Sequence, residues 1–540
     1  GRQQPSVEDK FTFFVISLFT RTKKLHALHR HTVQSERQLN WSELPNRRER
    51  RTMSTQGGKT ASHEIHIDDA IEQIGNGLFQ RRILWAAGLA FASDSMEILL
   101  MSLLSIVLQS HWQLEEHHTA TIVSAVFLGA LLGTLILGPL GDRIGRKPVF
   151  RATAALIAFF GFLTAFSNGF IMLLLCRFMV GFGVGGLTVP FDTLAEFVPG
   201  SARGTDLLAI EYFWTGGTIL VPVLAYVSLG NDSMNDGTDW RLFVTLCAIP
   251  CVFACVFGII YVPESPRWLV SQGRHDEALG IIRKAAQTNG LDAYQIFPEG
   301  IQLVDHEVVE EGTFADLLKP KWFLTTITLW ATWLGFSFAY YGTIIVVTMV
   351  FSANGDEFID EDAVGQYSFD YTAIFTSAVS EIFGTTFVIL MVDRLGRIPS
   401  QIITYVCGGI CMFAFCYLAS QGDGSSRSSL VVTSFLARMF FMGGACTTWV
   451  STAEILSTEI RTTGHAASNA IARLGGSIVP YILYNLGFKA IGFAMLIVSL
   501  LTALSSSKLP ETRGQRMGET EMELETKPQE NQTKDQYHAI

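Results

Sequence analysis

Asp94 and Glu97 stand three residues apart inside a long apolar run, Glu211 and Arg473 sit in two other such runs, and Arg177 and Arg438 each precede a glycine-rich stretch. A charge within a bilayer-crossing segment costs roughly 2.5–3.5 kcal/mol even on the gentler insertion scale, so these residues are where chemistry is to be sought. A spacing of three puts the carboxylates of Asp94 and Glu97 on one helix face. In low dielectric, desolvation and like charge both disfavour the second ionisation, which suits such a pair to carry a proton, Asp94 ahead of Glu97. The Arg473 guanidinium is a rigid fork that grips a carboxylate through two parallel hydrogen bonds and repels a cation. The alternative is a permanent pair of Arg473 with Asp94 or Glu381. Glu211 and Trp214, Tyr340 and Tyr341, and Trp449 are candidate substrate contacts, because aromatic rings with a polar edge suit an apolar pocket holding a few orienting groups. Arg177 is a further substrate candidate, or else a structural charge like Arg438.

These residues need helices that cross a membrane. Of the 540 residues 49% are apolar and 39 are Phe, and no soluble domain of this length is normally so rich in them. Apolar stretches able to cross a core of about 30 Å fall near 83–109, 119–141, 149–167, 170–190, 207–229 and 242–262, and again near 322–350, 370–392, 400–420, 430–452, 465–486 and 488–507. The spacing predicts an all-α membrane protein of twelve helices in two pseudo-symmetric six-helix bundles, residues 67–262 and 322–507, joined by a cytosolic helical linker, 263–321. Basic residues mark the cytosolic loops, and Arg81, Arg82, Arg143, Arg146, Lys147, Arg394, Arg397 and Arg461 share one side, so both termini are expected in the cytosol. Residues 1–66 are expected to be a disordered extension, with Met53 an alternative start, and 508–540 a disordered tail. Asn231-Asp-Ser233 is a glycosylation sequon on the opposite side.

A charged motif occurs twice, as Gly141-Asp142-Arg143-Ile-Gly145-Arg146-Lys147 and as Asp393-Arg394-Leu-Gly396-Arg397. Each copy is followed by a second shared element, Ala195-Glu196 through Arg203 and Ala453-Glu454 through Arg461. Asp142, Arg143, Arg146, Glu196 and Arg203 in one half, and Asp393, Arg394, Arg397, Glu454 and Arg461 in the other, are candidate gating charges whose ion pairs break and re-form as two halves rock. The alternative is a purely topogenic role. Gly181-Phe-Gly183-Val-Gly185-Gly186 matches a dinucleotide fingerprint in letters alone, since that fingerprint needs a strand and a soluble βαβ unit. Glycines inside a span instead allow close helix approach. All eight cysteines fall within predicted spans, where they read as core residues rather than metal ligands, and no disulfide is expected. No cofactor, metal site or catalytic constellation is read, and the net charge of −10 argues against nucleic-acid binding.

The repeated motifs resemble those of the major facilitator superfamily over about residues 66 to 515. Ile67-Asp-Asp-Ala-Ile-Glu-Gln-Ile-Gly-Asn-Gly77, Asp94-Ser-Met-Glu97, Pro263-Glu264-Ser-Pro-Arg267 and Tyr340-Tyr341-Gly342 are similar to its synaptic vesicle 2-related, organic-ion and niacin-transporter-like branch. The resemblance implies a monomeric single-chain alternating-access carrier in the plasma membrane or a vesicle or vacuole membrane. An arginine at the place of Arg473 is what the organic-anion carriers of the branch have. It implies a small organic anion, such as the aromatic monocarboxylate nicotinate, moved together with protons. Two other readings stand beside it, a sugar or polyol porter, which the absence of glutamines from the seventh span opposes, and a vesicle protein that binds or regulates without transporting.

Overall fold

The computed structural model describes residues 63–230, 239–305, 313–352, 369–457 and 460–513. The first bundle comprises Leu78–Trp112, Glu116–Ile144, Arg146–Thr164, a fourth span in two pieces, Phe170–Gly185 and Thr188–Phe197, then Gly200–Leu229 and Asp239–Tyr261. The second comprises Pro320–Phe351, Tyr371–Leu395, Arg397–Ala419, Arg427–Ile455, Arg461–Tyr484 and Phe488–Ser506. This is the expected twelve-helix, two-bundle architecture. Among the described residues eleven helices are long and apolar enough to cross a bilayer by composition alone. The exception is the eleventh span, Arg461–Tyr484, which carries His465, Ser468, Asn469 and Arg473. Lining a polar centre lowers its hydropathy.

The second and fourth spans cross at glycines: a Cβ on Gly181 would land on the Val126 carbonyl, and one on Gly185 on that of Ala130. This close approach is the physical content of the glycine run in the fourth span. The two copies of the charged motif make the same turn. Gly145 (φ 104°) and Gly396 (φ 103°) hold left-handed backbone that a side chain would strain. Each is followed at once by a helix whose exposed amides need an acceptor. Glu264 Oε1 accepts from the Arg146 and Lys147 amides at 2.7 and 3.2 Å, and Glu511 accepts from Arg397 and Ile398, both at 2.9 Å. A carboxylate there also complements the helix dipole. Both acids follow a proline just past the last span of their half, so the two bundles are closed by one device used twice.

Ahead of the first span the chain departs from the extension expected up to residue 66. His63–His66 forms a parallel strand pair with Ile301–Val304 of the inter-bundle segment. The amphipathic helix Ile67–Ile74 then buries Ile67, Ala70, Ile71 and Ile74. Arg267 bridges Asp68 at 2.5 Å and Asp305 at 2.8 Å. Burial works against the Arg267 charge, but the Asp305 and Asp68 carboxylates more than offset it and hold its pKa above the usual value. Asn289 bonds Gln80 and the Phe79 amide, both at 2.9 Å. The lead-in motif is thereby a clasp between the first span and the inter-bundle segment. Asn231, the acidic stretch 356–362 and the tail beyond residue 513 lie outside the described residues.

Candidate functional site

The first span carries two buried carboxylates, and the fold gives each its own guanidinium. Arg473 of the eleventh span reaches across the bundle boundary to Asp94, Nη2 to Oδ2 at 2.8 Å and Nη1 to Oδ1 at 3.4 Å, with both residues nearly excluded from solvent. Arg177 of the fourth span binds Glu97 at 2.8 Å within the first bundle, and it also donates to Thr164. So each of the two acids on one helix face meets a guanidinium of its own. One is pinned inside a bundle, while the other is a tie between bundles.

A second buried cluster lies between the fifth, seventh, eighth and tenth spans. Arg438 binds Glu381 at 2.8 Å, and neither side chain is exposed. Glu381 also accepts from the Tyr340 hydroxyl and from Thr218, each at 2.9 Å. Trp214 Nε1 in turn donates to the Tyr340 oxygen at 2.6 Å. Thr218 and Trp214 belong to the first bundle and the other three to the second, so this network also crosses the boundary.

Between the two clusters lies a cavity of about 30 Å³, lined by Phe91, Asp94, Glu211, Trp214, Tyr340, Tyr341, Trp449, Asn469 and Arg473 among others. The sequence-derived pocket candidates Arg473, Glu211, Trp214, Tyr340, Tyr341 and Trp449 therefore converge, and Arg177 does not join them. Asn469 lines the same space four residues before Arg473, on one helix face with it. Glu211 takes part in no ion pair among the described residues. Such a void holds a water or two and no organic solute. Trp333 stands just below, donating to Thr452 at 2.9 Å, and Trp330 stacks on Phe314 away from the cavity.

The charged loops pair within their own halves. Arg146 reaches Asp142 at 2.9 Å, Asp192 at 3.3 Å and Glu196 at 3.6 Å. Asp192 was not anticipated, although it stands four residues before Glu196 and so on the same helix face. Arg397 makes a fork with Glu454 at 2.8 and 3.0 Å. Arg461 donates to the Leu456 carbonyl at 3.4 Å. Arg143 and Arg394 are exposed, and the side chains of Arg203 and Asp393 lie outside the described residues. At the far ends of the spans three hydrogen bonds join the bundles: Ser105 to Tyr484 at 3.0 Å, Thr121 to Tyr481 at 2.9 Å and Ser124 to the Ser477 carbonyl at 2.7 Å.

The family model described as sugar (and other) transporter matches residues 86–524. Synaptic vesicle 2-related protein of Bos taurus is 30% identical over 477 residues, covering 84% of this chain and 82% of the relative. Organic cation/carnitine transporter 7 of Arabidopsis thaliana is 28% identical over 454 residues, covering 78% and 88%. The inward-open xylose transporter XylE from E. coli, 20% identical, superposes with a TM-score of 0.64 over 83% of this chain and 99% of that one.

Proposed function

This chain belongs to the sugar (and other) transporter family of the major facilitator superfamily, and from that premise we propose that it is a proton-coupled carrier of a small organic anion. It is a multi-pass membrane transporter and not an enzyme. The observation that carries the substrate proposal is the Asp94–Arg473 tie across the bundle boundary. A buried pair stripped of one partner costs about 3–5 kcal/mol, so neither residue can be released alone. Protonation of Asp94 removes its charge, and a substrate carboxylate then takes its place on the Arg473 fork. Proton and anion thus enter together, leaving the net charge of the site unchanged. After release Asp94 loses its proton and closes again on Arg473, which resets the carrier. Moved as one proton with one monovalent anion, the cycle is electroneutral and driven by the pH gradient alone.

The cavity lining favours a flat, partly aromatic acid such as nicotinate. Its rings offer faces, and Asn469 is the one side-chain amide among its described residues; of its hydroxyls, Thr188, Tyr340 and Tyr341, that of Tyr340 is already held by Trp214 and Glu381. The proposed orientation puts the charged loops and both termini in the cytosol, and the relation to synaptic vesicle 2-related protein favours a vesicle membrane. Proton coupling is tested by Asp94→Asn in proteoliposomes preloaded with nicotinate. Uphill uptake should be lost while counterflow exchange, which returns a loaded carrier and needs no deprotonation, persists. Loss of both with normal folding would make Asp94 a binding residue, and wild-type uptake would remove it from the mechanism.

One observation favours a second reading. Glu211 is the uncompensated acid of an aromatic-lined cavity, an arrangement that suits an organic cation, and a relative is named for organic cations and carnitine. Glu211→Gln separates the two: it should abolish transport of a quaternary ammonium solute if that is the substrate, and it should spare a monocarboxylate.

A further inference from the structure

We infer that the turn between the first and second spans is a binding site for a divalent transition-metal ion, Zn²⁺ foremost, which fastens the two bundles on the face away from the charged loops. Gln113 adopts left-handed backbone (φ 49°) and turns the chain so that Glu115 stands at the N-cap of the second span. Glu115, His117 and His118 then bring one ligand atom each to within 4.8 Å of one another. His117 Nδ1 already lies 3.1 Å from Glu115 Oε2. The His118 Nδ1 is buried and has no hydrogen-bond partner among the described residues, while the ring packs edge to face with Phe170, centroids 5.0 Å apart. Two imidazoles and a carboxylate are a ligand set that zinc takes with a fourth position left to water. Ligands about 2.1 Å from a tetrahedral centre lie about 3.4 Å apart, so the exposed Glu115 and His117 need only close in by a small rotation.

The consequence for the carrier follows from the next turn of helix. Thr121 donates to the His117 carbonyl at 2.6 Å, and its hydroxyl lies 2.9 Å from that of Tyr481 across the bundle boundary. An ion that fixes His117 fixes the backbone from which this contact is made, and it favours the state in which the bundles touch on this face.

The test uses the full chain in detergent with zinc chloride and a chromogenic chelator as competitor. Wild type should withhold one equivalent of Zn²⁺, His117→Ala, His118→Ala and Glu115→Gln should each weaken binding tenfold or more, and His275→Ala, on the opposite face, should bind as wild type. Melting temperatures of His117→Ala and Glu115→Gln without metal should match that of wild type, since Glu115 and His117 are exposed. Wild-type affinity in His117→Ala would overturn the site. A cysteine at Ser124 should be alkylated more slowly by an impermeant maleimide when Zn²⁺ is present; an unchanged rate alongside normal binding would overturn the fastening role.

Discussion

Arginine is put to two uses inside this membrane domain, and substitution separates them. Arg438 and Glu381 form a fully buried pair, so Glu381→Gln leaves an uncompensated cation and should lower stability by about 3–5 kcal/mol. The double variant with Arg438→Met should recover much of it; both are read from thermal unfolding of the purified protein, and equal losses in the single and double variants would contradict the pairing argument. Arg473 differs in the proposed cycle, in which its partner must leave. Arg473→Lys keeps the charge and loses the fork, so affinity for a monocarboxylate should fall about tenfold or more, the worth of one charge-assisted hydrogen bond of roughly 1.5–3 kcal/mol. Unchanged affinity would remove Arg473 from the binding site. Residue types and spans alone made Asp94, Glu97, Arg177, Arg473 and Glu381 conspicuous, since a charge in an apolar run is conspicuous by its cost. Asp94 was named beside Glu381 as an alternative partner of Arg473, but the choice between them was not legible. Asp94 and Arg473 are far apart in the chain, and nothing local distinguishes Arg177 from Arg473 as a partner for the first span.

At the scale of elements, the repeated loops join a turn, a cap and an ion-pair hub. Arg146 reaches Asp142, Asp192 and Glu196, and Arg397 forks Glu454. Arg146→Ala and Glu454→Gln should each shift the balance between the two access states without changing substrate selectivity. Reactivity of single cysteines from each side of the membrane measures it, and unchanged reactivity in both would reduce these motifs to turns and caps. The motifs were visible because they occur twice, and the spans because apolar length is a direct physical requirement. The strand pair His63–His66 with Ile301–Val304 was not visible: four residues carry no usable alternation, and the partner strand is supplied by tertiary packing alone. The break in the fourth span after Gly185 was likewise hidden in a run that reads as continuously apolar.

At the largest scale the described membrane spans form two bundles tied at their centre by Asp94–Arg473 and by the Trp214–Tyr340–Glu381 chain, around a void of about 30 Å³. Transport on this account is the parting of those ties in exchange for a proton and an anion together. Neither event suffices, because each alone leaves a buried charge unpaired. The most direct measurement is nicotinate uptake into proteoliposomes of the purified full chain under an imposed pH gradient and, separately, an imposed membrane potential. Uptake should follow the pH gradient, carry protons one for one, and be indifferent to the potential. Uptake driven by the potential, or selective transport of xylose or of a quaternary ammonium ion with no nicotinate movement, would contradict it.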